Sequence, residues 1–261
     1  LMGMRDDLIG MRYRAKFIIQ TLCGLLLVAS GFCFDNLYGL FGIYELPYYV
    51  GIPFTVFIIV YIMNAINLID GIDGLASGLS MIAFFAFGCM FVCLHWWLYA
   101  FISFAALGAL IPFFYYNMFG QTRRGRKVFM GDTGSLTIGL LLAVMAIHLS
   151  MSDPVKEELF PGAIVTAFSF LLVPMLDVVR VVLHRLRNHQ PPFLPHKFIA
   201  LGMSQHQALC FILSIAWLFI IANTLLASYL SVTVLFMLDV AVWTAMHFYI
   251  TAKITKKHPR N

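Results

Sequence analysis

An all-α, polytopic membrane helix bundle is the fold class this sequence predicts, on three observations. Of its 261 residues, 61% are hydrophobic and only 11% charged, a balance far outside that of a soluble domain. Apolar runs of about twenty residues repeat along the chain, each long enough to cross a hydrocarbon core. The runs do not alternate with period two, so their backbone polar groups must be satisfied within helices rather than in a barrel.

Eight spans follow in order: Phe17 to Phe34, Tyr48 to Leu68, Ser77 to Leu94, Trp97 to Tyr116, Ser135 to Ser150, Pro161 to Leu183, Ala208 to Ala227 and Ser231 to Thr251. Alternating them divides the basic residues unevenly. Arg5, Arg12, Arg14, Lys16, then Arg123, Arg124, Arg126, Lys127, then Arg180, Arg185, Arg187, Lys197, and finally Lys253, Lys256, Lys257 and Arg260 share one side. Only Lys156 falls on the other, among Asp153, Glu157 and Glu158. The positive-inside rule then places both termini in the cytoplasm, with cytoplasmic loops at about 1–16, 69–76, 117–134, 184–207 and 252–261. The net charge of +5 is explained by topology and anionic headgroups and asks for no nucleic acid.

The five cysteines all fall in these spans without metal-ligand spacing, and read as small apolar packers. His95, His148 and His247 read as interfacial or packed residues, whereas His184, His189, His196 and His206 share the third cytoplasmic loop. The chain opens on Leu1 and a charged segment, which reads as a fragment of a longer protein.

The inner-side acids carry the chemistry. Asp6 and Asp7 are adjacent, and Asp70 and Asp73 sit in Asn64-Ala-Ile-Asn-Leu-Ile-Asp-Gly-Ile-Asp-Gly74. Asp132 sits in Gly131-Asp-Thr-Gly-Ser135. Asn64, Asn67, Asp70 and Asp73 recur every three residues and so share roughly one helix face, a polar stripe that is expensive near lipid and usually functional. Gly131 to Ser135 precedes the fifth span, where free N–H groups at a helix N-terminus suit an anion. Each cluster adjoins the inner end of a helix, so the bundle can bring all three to one patch. Converging carboxylates repel unless a cation neutralises them, and hard oxygen ligands facing phosphate favour Mg²⁺, with Mn²⁺ as its substitute. Asp177 is expected to pair with Arg180, three residues on.

These motifs resemble those of the polyprenyl-phosphate N-acetylhexosamine-1-phosphate transferases of glycosyltransferase family 4, which include the undecaprenyl-phosphate GlcNAc-1-phosphate transferases and the phospho-MurNAc-pentapeptide translocase. Three motifs carry the resemblance in the family's order: the Asp-Asp pair with Lys16 and Gln20, Asn-x-x-Asn-x-x-Asp-Gly-x-Asp-Gly, and Phe129-Met-Gly-Asp-Thr-Gly-Ser135. It implies a single transmembrane catalytic domain over residues 1–261 in the bacterial inner membrane, with its site facing the cytoplasm and a homodimer as its assembly. It implies transfer of a sugar 1-phosphate from a UDP-N-acetylhexosamine, GlcNAc by default, to polyprenyl phosphate, with release of UMP, at the start of envelope polysaccharide synthesis. By the resemblance, Asp6, Asp7, Asp70 and Asp73 are catalytic, Lys16, Asn64, Asn67 and His196 bind substrate, and Asp132 with Asn67 holds the metal.

Two departures stand out. The family carries helices before the Asp-Asp pair and a His-x-His-His motif in its last catalytic loop, whereas Phe193-Leu-Pro-His-Lys-Phe198 holds one histidine. An inactive member of the scaffold is therefore the rival reading. An intramembrane aspartyl protease would use Asp132 and Asp177, but Phe129 breaks its Gly-x-Gly-Asp pattern. A transporter would need buried charge at mid-bilayer, where only Asp239 lies.

Overall fold

The computed structural model describes residues 2–121, 125–153, 156, 160, 162–187, 197–199 and 201–257. The chain runs α1 (Met2–Ile9), α2 (Tyr13–Ala29), β1 (Asn36–Leu40), β2 (Ile43–Glu45) and α3 (Tyr48–Ile69). It continues through α4 (Leu75–Cys93), α5 (Trp97–Phe119), α6 (Gly131–Ser150), α7 (Ala163–Ser169), α8 (Leu172–Arg187), α9 (Gln205–Leu226) and α10 (Val232–Lys257).

The chain is mostly helical and multi-pass. Six helices, α3, α4, α5, α6, α9 and α10, are long and apolar enough to cross a membrane, and α7 with α8 makes a seventh if the bent pair counts as one span. Expected as one helix from Pro161 to Leu183, that pair is bent by 69°. Pro174 supplies the reason: its ring would clash with the carbonyl of Phe170 in a continuous helix, whereas in the first turn of a new helix its missing N–H costs nothing. The first expected span, Phe17 to Phe34, is shorter in the structure, because α2 has 17 residues and ends at Ala29. Cys33 therefore lies in the following connection, and all five cysteines are free thiols. The leading segment 1–16, expected as a loop, contains α1 and the first turn of α2.

A purely α fold is also corrected. On the opposite face from the acidic motifs, Asn36 pairs with Glu45 and Leu40 with Ile43 in an antiparallel hairpin. Phe41 and Gly42, the two residues of its turn, both have positive φ, as the tight turn that matches strand twist requires. Thr233 at the start of α10 fastens the turn, accepting from the Phe41 N–H at 2.8 Å and donating to the Gly39 carbonyl at 2.9 Å.

Lys156, the lone base assigned to that face, is fully buried. Its ammonium donates to Tyr38 Oη and the Leu149 carbonyl at 3.0 Å each, and to the Met151 carbonyl. It thus answers the unpaired carbonyls and negative dipole end of α6.

Two helices position the site. α3 lies between α2 and α6 and also meets α8. Gly24 on α2 faces Val56, and Gly139 on α6 lies so close to α3 that a Cβ there would sit 2.7 Å from Met63 Cα. Small residues at such crossings let helices approach in lipid, where close packing rather than the hydrophobic effect drives association. α4 is the most enclosed span, while α5 keeps most of its surface on the outside.

Candidate active site

The α3 and α6 contact fixes one side of the site. Asn67, in the last turn of α3, donates to Asp132 Oδ1 at 2.6 Å and to Ser135 Oγ at 2.9 Å, both in the first turns of α6. Ser135 in turn donates to the Gly131 carbonyl at 2.8 Å. Asn67 was expected as a metal ligand; here its amide N–H groups face Asp132, so it orients that carboxylate.

From the other side comes Lys16, at the start of α2. Its ammonium lies against Asp132 Oδ2 at 2.6 Å and also contacts Asp6 Oδ2. Asp6 accepts the Met11 N–H on Oδ1 at 2.6 Å, which closes the turn between α1 and α2. Asp6, Lys16, Asp132 and Asn67 thus form one continuous chain of charge-assisted contacts linking three motifs far apart in sequence.

The adjacent Asp7 does different work from Asp6. Its Oδ1 accepts the Asp132 N–H at 2.8 Å, and its Oδ2 accepts the Thr133 N–H at 3.1 Å and hydroxyl at 2.6 Å. No side chain of the α6 segment itself caps that helix, so Asp7 is its N-cap, supplied from α1. The Thr133 hydroxyl, helped by the two backbone N–H groups, holds the Asp7 carboxyl below the usual range. The anion site expected at this helix N-terminus is therefore filled by a carboxylate of the chain itself. Gly131 makes the fit possible, with φ +61 and room only for a hydrogen beside the Asp7 oxygens. Asp7→Ala is expected to cost about 1 kcal/mol, the usual worth of a cap, with Asp7→Asn between it and the wild type. Equal melting temperatures of all three in detergent would refute the capping role.

Asn64 is taken up by a cross-helix amide pair, donating to Gln20 Oε1 at 2.9 Å and to the Val60 carbonyl at 2.7 Å. Gln20 is buried, so this pair fastens α2 to α3 beneath the site. Asp73 pairs with Lys127 at 2.5 Å. That lysine belongs to the basic cluster preceding α6, which the sequence explained equally well by topology. His196 lies outside the described residues. Asp177 pairs with Arg180 at 2.6 Å, as expected. Asp132 and Asp177 thus take different partners, and no protease-like pair forms between them.

Asp70 sits between these contacts. Burial first, then the negative charges of Asp73 and Asp132, push its carboxyl up to about 7. An acid with a raised folded-state value binds protons more tightly in the folded than in the unfolded chain, so its contribution to stability is lost as pH rises through that value. Without divalent cations, Asp70→Asn is expected to melt about 2–4 °C above wild type at pH 8 and level with it at pH 5, taking roughly 1 kcal/mol as the shift. A constant difference across that range would refute the assignment.

Asn117, at the end of α5, escaped the sequence reading. Buried, it accepts the Gly74 N–H at 2.6 Å and donates to the Val128 carbonyl at 2.8 Å. It therefore holds the start of α4, where Gly74 has φ +80, against the strand of chain that carries Lys127. A lone amide at the end of an apolar span was the only available signal.

The family model for glycosyl transferase family 4 matches residues 1–150, the stretch that contains every one of these contacts except the Asp177 pair. The chain belongs to glycosyl transferase family 4. A probable undecaprenyl-phosphate N-acetylglucosaminyl 1-phosphate transferase of Bacillus subtilis (strain 168) is 32% identical over 255 residues, covering 91% of this chain and 66% of that protein. Undecaprenyl-phosphate α-N-acetylglucosaminyl 1-phosphate transferases of Yersinia pestis and Escherichia coli (strain K12) are each 29% identical over 216 residues, covering 79% of this chain and 57% of theirs. The chain thus spans between about half and two-thirds of the length of these family 4 relatives.

Proposed function

We propose that the chain transfers N-acetylhexosamine 1-phosphate, GlcNAc 1-phosphate by default, from a UDP-sugar to polyprenyl phosphate and releases UMP. The observation that carries this reading is the Asp6, Lys16, Asp132 and Asn67 cluster, in which two carboxylates from separate helices converge on one cation. The names of the relatives support undecaprenyl phosphate as acceptor.

Mg²⁺ fits this donor set. The Lys16 ammonium stands where two carboxylate oxygens already accept a positive charge, and Mg²⁺ uses one or two carboxylates, keeping its other positions for water and phosphate. Among the described residues no group of three or more Asp, Glu, His or Cys side chains surrounds one point, which suits Mg²⁺ better than metals that need a full protein cage. Asp132 and Asp6 would hold it, where it would neutralise phosphate charge.

The chain's own residues then align the reactants. A phosphate monoester with a second pKa near 6 is largely ionised at neutral pH, so no strong base is needed. Its oxygen forms a bond to the sugar-bearing phosphorus as the bond from that phosphorus to UMP breaks, and UMP leaves with the electron pair. Lys16 and Lys127 screen the gathering charge, and Asn67 keeps Asp132 aimed. An apolar cavity of about 390 Å³, walled by Phe54, Ile58 and Tyr61 of α3 with Phe168, Met175 and Phe236, suits a prenyl tail.

In the bilayer, α2 completes eight spans with the bent pair counted as one, which puts both termini and the site on the cytoplasmic face of a bacterial inner membrane. The basic residues flanking α1, α2 and α6 support that orientation.

The test is UMP release by the purified chain given UDP-GlcNAc, undecaprenyl phosphate and Mg²⁺. Release that EDTA abolishes and that requires the lipid is expected; no release, with the protein folded, would favour the inactive scaffold.

A further inference from the structure

Away from the carboxylate cluster, the ends of α8 and α10 and residues 197–199 border a second cavity of about 470 Å³, which shares no residue with that cluster. Two kinds of side chain wall it. Trp243 and His247 line it while 4% and 7% exposed, and Trp243 Nε1 and both His247 ring nitrogens find no hydrogen-bond partner among the described residues. Interiors rarely leave such groups unanswered. An indole N–H can only donate, so whatever answers Trp243 must bring an acceptor.

Charge points the same way. Arg180 and Lys197 also line the cavity. Asp177 offsets Arg180 at 2.6 Å, while Lys197 meets a neutral hydroxyl, Thr251 Oγ1, at 2.9 Å. The polar wall is thus rich in donors and positive. The remaining wall is apolar and open to the outside, since Val179, Leu183 and Phe248 are exposed large hydrophobics that line the same cavity. A nucleotide would lay ribose and base hydroxyls on those side chains, whereas acyl chains would match them.

We propose that this cavity binds an anionic phospholipid, its phosphoryl oxygens accepting from Trp243 Nε1, His247 and Lys197 and its acyl chains lying over Val179, Leu183 and Phe248. Basic pockets between spans near a membrane surface are suited to such headgroups. The site lies on the same side of the bundle as the carboxylate cluster, because α3 and α10 end on the same face when the spans alternate.

Native mass spectrometry of the purified chain with phosphatidylglycerol tests this. Bound phosphatidylglycerol that excess inorganic phosphate does not displace is expected, with about tenfold weaker binding in Trp243→Phe and in Lys197→Gln, the loss of one charge-assisted hydrogen bond. Lys253→Gln, a base on the same helix end outside the cavity, should bind as wild type does. Should Trp243→Phe fail to fold, Lys197→Gln on a partly exposed side chain carries the same expectation. Displacement by inorganic phosphate would make this a free-anion site, preferential binding of undecaprenyl phosphate a substrate site, and equal loss in Lys253→Gln a general charge effect; each would overturn the proposal.

Discussion

Asp132→Asn is expected to lower UMP release by about 10²–10³-fold, the usual cost of removing one group that stabilises transition-state charge, while leaving the melting temperature in detergent nearly unchanged. The substitution is isosteric, so Asn67 and Lys16, each 2.6 Å from this carboxylate, keep their places. What is lost is the charge. An amide in this position offers one neutral oxygen and an NH₂ that would face either the Lys16 ammonium or the Asn67 NH₂, so it neither balances Lys16 nor holds a divalent cation with Asp6. The decisive comparison is activity against Mg²⁺ concentration. Activity within tenfold of wild type at saturating Mg²⁺ would remove Asp132 from the machinery.

Gly139→Leu is expected to produce the largest structural effect, destabilising the fold by about 3 kcal/mol, the upper end of the overpacking range. A Cβ at Gly139 would lie 2.7 Å from Met63 Cα and 3.3 Å from the Met63 carbonyl oxygen. Both are backbone atoms that cannot swing aside as a side chain could, so α3 and α6 must separate. That crossing lies about one turn of α3 from Asn67 and two turns of α6 from Asp132, so the separation propagates to the site. Misplacement by about 1 Å can cost on the order of 10²-fold in rate. Gly139→Ala carries the same clash with less bulk and should fall between Leu and wild type in both melting temperature and UMP release. A Gly139→Leu protein that melts and turns over like wild type would show that α3 and α6 are not held at this distance.

Composition and run length were enough to specify membrane helices, because a backbone in hydrocarbon has few ways to satisfy its polar groups. The polar stripe of Asn64, Asn67, Asp70 and Asp73 was legible because helical periodicity places it on one face and lipid makes such a face costly. The Asp177 and Arg180 pair was legible for a related reason, since residues three apart on a helix are neighbours whatever the fold. The hairpin was hidden because five-residue and three-residue strands carry little pattern, and the break at Phe170 because Pro174 is equally at home in a kinked helix or a new one.

The sequence by itself determined the fold class, the family and the set of inner-side acids, because period, composition and motif spacing are local properties of the chain. Only the tertiary structure decided what each acid does. Asp6 and Asp7 are neighbours in sequence, yet one meets Lys16 and the other caps α6, because successive side chains on α1 point in different directions. Lys156 was an outer-face charge in the sequence and is a buried cap on α6 in the fold. Trp243 and His247 read as apolar packing until α8 and α10 came together around them. Partners more than a turn apart are chosen by packing, and that information is carried by the crossing of helices rather than by any one of them.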